Sequence, residues 1–313
     1  MIQRPTITEQ MLGCLYGQAI GDALGLGSEF MRKSKVADTY PDGLSRYEQI
    51  IQDNHRSRWE RGAWTDDTDM MLCIMDGFDD GRFDTNRIAK NFKNWCDSDP
   101  MGIGSHTLKV LSMADYVDSP EEASKLWWEL SRRQSAANGA LMRTSVVGLA
   151  KDDVAIQAET ICRLTHYDPR CIGACVICSE IINNLVWNNR ELSLDDIIAL
   201  SARYDTRIIE WVELAFKSGD ISALELDEPH TMGYTLRTLA AALWCYTHSA
   251  DFISGLLAVV NEGGDADTNA AVACAVLGAK FGIQNIPPYY INHLFNEPLY
   301  QRKVTAFIEK ALA

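Results

Sequence analysis

The sequence contains no low-complexity tract, no repeat of fixed length and no long uncharged run. Its longest apolar stretches, such as AAVACAVLGA at 270–279, are far too short to span a bilayer, so no membrane association is expected. The N-terminal MIQRPTITEQM lacks the basic flank and apolar core of a secretory leader. Positive charge is scarce: 29 Lys and Arg stand against 43 Asp and Glu, for a net charge of −14. That balance leaves no general basic surface for a phosphate backbone and argues against nucleic acid as a partner. Proline and glycine number only 9 and 21, and no Pro/Gly/Ser-rich linker divides the chain. One domain over residues 1–313 is therefore expected. Cysteine is present but unpatterned. Nine is an odd number, no CxxC pair has a matching second half, and Cys171, Cys175 and Cys178 share one helical face in CIGACVIC. They read as small core residues in a reducing compartment, and a cytoplasmic location is the expectation.

What is present is helical periodicity on a 47% apolar chain, long enough to bury a substantial core. Apolar residues near i, i+3, i+4, i+7 spacing predict helices over 8–25, 67–80, 85–97, 105–116, 121–133, 139–150, 154–165, 171–187, 194–203, 207–217, 234–247, 251–261, 268–281 and 301–312. Two-residue strand alternation is nearly absent, so the fold class is all-α. In the first helix Gly13, Gly17, Gly21 and Gly25 recur every four residues. Each glycine costs a helix about 1 kcal/mol relative to alanine. Four in one stripe therefore predict a face that another helix approaches very closely. Residues 31–62 read as a long polar loop, broken by Pro41 and Gly43 and carrying Arg56, Arg58 and Arg61. It leads directly into an acidic cluster, a position in which long loops are often functional.

That cluster is WTDDTD at 64–69. A helix start accounts for part of it, with Thr65 as N-cap and Asp66 and Asp67 in the first turn of a helix continuing through MMLCIM. A cap needs one oxygen, and the helix dipole stabilises a carboxylate by only about 0.3–1 kcal/mol. Three carboxylates need more. The same design recurs in GGDADT at 263–268, ahead of NAAVACAVLGAKFG. Gly263 and Gly264 permit positive φ and close approach of a ligand. Asp265 and Asp267 can aim oxygens at a common point. Taken together, the two clusters supply hard oxygen donors suited to Mg²⁺ or Mn²⁺, and enough of them for two ions.

In order along nearly the whole chain, GCLYGQAIGDALGLGSEF (13–30), WTDDTDM (64–70), MGIGSHT (101–107), NGALMR (138–143), THYDP (165–169), MGYTLRTLAAALWC (232–245) and NEGGDADTNAAVACAVLGAKFG (261–282) resemble the motifs of the ADP-ribosylglycohydrolase family. The resemblance implies an all-α fold with a dinuclear magnesium or manganese centre between the acidic clusters. Carried over position by position, it implies Thr65, Asp66, Asp67, Asp265, Asp267 and Thr268 as metal ligands. It also implies Glu29 near the ribose and metals. Asn138 and Gly139 fall in a diphosphate-cradling segment at a predicted helix start, and Gly102 and Gly104 in a second glycine loop at the cleft. His166 corresponds to a cleft-lining position. Tyr234 is an aromatic that either stacks on the leaving group or packs in the core. Arg143 would be structural, paired with a carboxylate. Asp69 departs from the family pattern, where a neutral polar residue is usual, and reads as a supporting group or a simple first-turn acid. The 31–62 segment matches nothing specific and would cover the cleft or contact a partner.

The implied activity is metal-dependent removal of ADP-ribose from modified protein side chains, with arginine the expected acceptor and Asp66, Asp267 and Glu29 the catalytic carboxylates. The alternatives are a serine-linked or other ADP-ribose conjugate, or an antagonist that neutralises an ADP-ribosyltransferase toxin by reversal or by direct binding.

Overall fold

The computed structural model describes residues 4–313; the first three residues of the N-terminal stretch lie outside it. Fifteen α-helices follow one another among the described residues: α1 (Ile7–Gly25), α2 (Lys33–Thr39), α3 (Asp66–Met75), α4 (Thr85–Asp97), α5 (Ser105–Leu111), α6 (Pro120–Leu130), α7 (Val154–Arg163), α8 (Pro169–Trp187), α9 (Leu194–Ser201), α10 (Arg207–Lys217), α11 (Thr235–His248), α12 (Phe252–Val260), α13 (Ala266–Phe281), α14 (Pro288–Asn292) and α15 (Glu297–Leu312). Two short strands, β1 (Phe78–Asp79) and β2 (Arg82–Phe83), pair antiparallel around Asp80 and Gly81, both at positive φ. Positive φ at both turn positions matches the twist of a two-residue hairpin.

The glycine stripe sets the centre of the molecule. A Cβ added at Gly13, Gly17, Gly21 or Gly25 would run into the backbone carbonyl of Gly278, Cys274, Ala270 or Ala266 respectively. These four pairs run in opposite directions along the two helices, so α1 and α13 lie antiparallel with their backbones in contact. Both are buried on nearly every side. The register places the C-terminal end of α1 against the N-terminal end of α13, which is where the second acidic cluster sits. α8, α11 and α12 pack around α13 and complete the core. α8 is long and apolar enough to cross a membrane by length and composition, although no apolar run in the sequence stood out for length; 83% of its span is buried inside the protein. All nine cysteines are free, and Cys171, Cys175 and Cys178 are buried, as their spacing predicted.

The helices depart from the sequence-based expectation in five places. Residues 139–150 form two 3₁₀ turns, Leu141–Arg143 and Ser145–Leu149, rather than an α-helix. There Gly148 lets the chain press against Ile182 and the Ser179 carbonyl, and the Thr144 hydroxyl bonds back to the Ala140 carbonyl, competing with the helical ladder. The 105–116 helix stops at Leu111, and the 67–80 helix stops at Met75, its expected last residues forming part of the β1–β2 hairpin. The 31–62 segment is no plain loop: it contains α2 and 3₁₀ turns at Tyr47–Gln49 and Arg56–Arg58. α14 leaves no clear signal in the sequence because five residues are too few to show a helical period, although Pro288 stands at the first position, where proline is favoured.

Candidate active site

Three chain segments converge where α1 ends: the residues following α1, the start of α3 and the start of α13. They form one side of a cavity of about 550 Å³ whose lining includes Glu29, Thr65, Asp66, Asp67, Asp265, Asp267 and Thr268. That volume falls within the range of sites that bury a small-molecule ligand. The rest of the lining comes from the 101–104 loop, with Gly102 and Gly104, the start of α5, the 137–139 loop, with Asn138 and Gly139, and His166. Helix packing thus gathers into one cavity residues that are more than 200 positions apart in sequence.

The start of α3 is not capped as expected. Thr65 occupies the N-cap position, but its side chain accepts no helical N–H; its hydroxyl donates instead to Asp67 Oδ2 at 3.1 Å. The cap comes from α1. Asp22 Oδ1 accepts from Thr65 N at 2.9 Å, and Oδ2 accepts from Thr68 N at 3.0 Å and from the Thr68 hydroxyl at 2.6 Å. A fully buried carboxylate from another helix thereby satisfies donors that the helix start leaves open. Sequence reasoning missed Asp22, although a signal existed: apart from Glu9 in the first turn, it is the one charged residue of α1.

The start of α13 is supported differently. Asn138 Nδ2 donates to Asp265 Oδ2 at 2.7 Å and to the Thr238 hydroxyl at 3.0 Å. The Asn138 loop is itself tied down by Asn138 N donating to Gly233 O and by the Ala137–Tyr234 bridge. Gly263 and Gly264 both have positive φ, but they face protein rather than the cavity. A side chain at either would collide with the backbone carbonyl of Met31 or Leu226. The expected approach of a ligand to these glycines is therefore corrected: they admit neighbouring backbone. Of the two readings of Tyr234, packing against the core holds and stacking in the cavity does not: it lies outside the cavity lining, edge-on to Trp211 with its ring under the Arg170 guanidinium, and Gly233 and Met232 line the cavity in its place.

The carboxylates are layered. Asp22, Asp67 and Asp267 form a deep group whose ligand atoms lie within 4.8 Å of one another. Glu29, Asp265 and Asp267 form a second such group, sharing Asp267. Burial raises the Asp22 and Asp66 carboxyls to about 7 and the Asp265 carboxyl to about 6. Burial, reinforced by neighbouring carboxylates, holds Asp67 and Asp267 well above the ordinary range. Asp67 Oδ1 is buried without any hydrogen-bond partner. An orphaned acceptor among crowded carboxylates fits a bound cation, since buried charge is tolerated only when paired. The hard oxygen donors suit a divalent ion of the Mg²⁺ type.

Asp69 does not join them. Its two oxygens accept from the indoles of Trp64 (2.8 Å) and Trp95 (3.1 Å), and it does not line the cavity. Arg143 pairs with no carboxylate, against expectation. It is fully buried, with its guanidinium over the Phe92 ring and Nη2 donating to the Thr165 hydroxyl.

The 31–62 segment supplies the cavity residues His55, Arg58 and Trp59. Arg58 Nη2 lies 2.7 Å from His55 Nδ1, and His55 Nε2 lies 2.6 Å from Glu29 Oε2. A guanidinium can only donate, so Nδ1 accepts and the Nε2 hydrogen points at Glu29. Arg56 sits behind them and binds the Leu26, Gly27 and Glu29 carbonyls at the end of α1, a favourable place for a cation.

The sequence profile of the ADP-ribosylglycohydrolase family matches residues 3–313. The chain is 26% identical to ADP-ribosylarginine hydrolase Tri1 of Serratia proteamaculans, over 91% of this chain and 75% of that protein. It is also 26% identical to ADP-ribosyl-[dinitrogen reductase] glycohydrolase of Rhodospirillum rubrum, over 99% of this chain and 97% of that one. A solved structure, an ADP-ribosylglycohydrolase-related protein complex, superposes with a TM-score of 0.78 at 26% identity, covering 97% of this chain and 99% of that one.

Proposed function

The chain belongs to the ADP-ribosylglycohydrolase family, and from that premise we propose that it is a divalent-metal-dependent hydrolase that removes ADP-ribose from arginine side chains of modified proteins. The observation that carries the proposal is the meeting of the α3 and α13 starts with Glu29 at one cavity, in two carboxylate groups that share Asp267. Two ions, Mg²⁺ or Mn²⁺, suit that sharing, held by Thr65, Asp66, Asp67, Asp265, Asp267 and Thr268. When bound they would polarise a water molecule and substrate oxygens.

The chain's own groups supply the rest. Cleavage breaks the bond between the anomeric carbon of the ribose and the guanidino nitrogen, water adds its oxygen to that carbon, and the proton the water gives up ends on the departing guanidine, which leaves as arginine's guanidinium. A half-buried carboxylate at the cavity surface, Asp66, is placed to take the water's proton, with Asp267 deeper and shared between the two groups. Negative charge on this wall suits an oxocarbenium-like transition state. Glu29, held by His55, stands at the same wall, where the ribose hydroxyls would lie. The antagonist reading by surface contact gains no support from the 31–62 segment, whose His55, Arg58 and Trp59 are built into the cavity itself.

The test is release of free ADP-ribose from an arginine-ADP-ribosylated protein. Release with Mg²⁺, its loss with EDTA, and its loss in Asp66→Asn and Asp267→Asn are the expected results. Untouched arginine-linked substrate together with cleaved serine-linked substrate would overturn the acceptor; release that persists in EDTA would overturn the metal dependence.

A further inference from the structure

The cavity lining contains a buried side chain with an unsatisfied hydrogen-bonding position. His166 is 1% exposed, and its Nε2 has no partner. The ring edge bearing Nε2 faces the Asn138–Gly139 loop: a Cβ on Gly139 would lie 3.1 Å from His166 Cε1 and 3.2 Å from Nε2. Behind the ring, Nδ1 is 2.7 Å from the Thr165 hydroxyl, and that hydroxyl is 2.5 Å from Arg143 Nη2.

The proton count along this chain has one satisfactory solution. Arg143 can only donate, so the Thr165 oxygen accepts from it. The single hydroxyl proton of Thr165 then goes to His166 Nδ1, which must be an acceptor, and the imidazole hydrogen resides on Nε2. The reverse arrangement would leave the hydroxyl proton without an acceptor in a fully buried position, which proteins avoid because the group has given up its hydration for nothing. A protonated ring would set a second cation beside Arg143 and against His106, whose ring stacks on His166 at 4.0 Å. His106 is fixed by the same logic: its Nε2 lies 2.9 Å from the Thr165 carbonyl and must donate, so Nδ1 accepts from the Ser135 hydroxyl. Burial lowers both histidines, His106 to about 4 and His166 well below its ordinary range.

We propose that Arg143 and Thr165 are positioning residues that hold His166 as the neutral Nε2–H imidazole, so that it presents one hydrogen-bond donor to an acceptor oxygen of ADP-ribose bound in the cavity. This rests on the hydrolase reading above. It also explains why a fully buried Arg143 is kept without a carboxylate: its guanidinium polarises the donor through a hydroxyl, which strengthens the terminal hydrogen bond.

The test has two parts, the first of which needs no substrate. In the free protein labelled with ¹⁵N-histidine, the His166 nitrogens should show a protonated Nε2 and an unprotonated Nδ1 at neutral pH. Thr165→Val should lose that signature and Thr165→Ser should restore it. In the second part, calorimetry with ADP-ribose and Mg²⁺ should show Kd raised about tenfold in Thr165→Val and His166→Phe, the worth of one neutral hydrogen bond, with most of the affinity recovered in Thr165→Ser. An Nδ1–H or doubly protonated His166 in the wild type overturns the inference, as does a folded Thr165→Val that binds ADP-ribose at wild-type strength. A wild type that shows the Nε2–H form yet binds no ADP-ribose strikes instead at the substrate reading.

Discussion

The two helix starts that carry the acidic clusters look alike in sequence and are built differently. At α3, Asp22 reaches across from α1 and accepts three hydrogen bonds from Thr65 and Thr68, while Thr65 turns to Asp67. At α13, two positive-φ glycines bend the chain against the Met31 and Leu226 backbones, and Asn138 holds Asp265 from the side. One cluster depends on a buried charge in the central helix. The other depends on an amide in a cavity loop. The α3 support is thus part of the core, and the α13 support part of the site.

This difference can be broken most forcefully at Asp22. Asp22→Ala leaves the Thr65 N–H, the Thr68 N–H and the Thr68 hydroxyl without their acceptor, at about 1–3 kcal/mol each, so the urea midpoint should fall by an amount equivalent to at least about 3 kcal/mol. Asn138→Ala should cost about 2 kcal/mol, the scale of its two hydrogen bonds to Asp265 and Thr238, while weakening Mg²⁺ binding measured by calorimetry. Equal stability losses in the two variants would remove the distinction.

Proton linkage sharpens the comparison next. The buried carboxyls have folded-state pKa values raised above the ordinary carboxylate value of 3.8. The folded protein therefore holds their protons more tightly than the unfolded chain. Metal-free stability must fall as pH rises from about 4 through about 7, the reverse of the usual carboxylate case. His106 and His166, lowered on folding, act in the opposite sense below about 6.5. Between pH 6.5 and 8 the carboxyls dominate: in EDTA the melting temperature should be several degrees lower at pH 8. Mg²⁺ should shrink that gap, because it replaces the lost protons. A melting temperature in EDTA that rises over this interval would contradict the assignment.

The smallest effect on activity is expected at Asp69→Asn. Its oxygens serve two indoles away from the cavity, so ADP-ribose release should stay at the wild-type rate, while stability should fall by about 1–3 kcal/mol because the amide nitrogen leaves one indole N–H without an acceptor. A large loss of release would bring the third carboxylate of WTDDTD back into the site.

Much of this was legible in the residues alone. Helical spacing located most helices, because amphipathic and buried helices both leave a 3.6-residue signature. The Gly13, Gly17, Gly21 and Gly25 stripe announced a close helix contact, because only glycine lets two backbones touch. The acidic clusters stood out because like charges rarely gather without a reason. Where reading failed, partners distant in sequence had intervened. Residues 139–150 carry a helical pattern, yet contacts with α8 tightened them into 3₁₀ turns. Gly263 and Gly264 looked ligand-facing because positive φ serves a ligand and a neighbouring backbone equally well. Tyr234 was left between cavity and core because an aromatic ring suits both, and Arg143 had the right neighbours in the chain and the wrong ones in space.

The sequence by itself determined an all-helical chain with two carboxylate-rich helix starts and a central helix made for contact, because these are properties of local spacing and residue type. The tertiary structure decided which atoms meet. It placed Asp22 under α3, Asn138 beside Asp265, His55 on Glu29 and the Arg143–Thr165 pair behind His166. The physical reason is that a hydrogen bond or a cation site depends on positions known to about an ångström, and residues tens to hundreds of positions apart acquire such positions only when the helices pack.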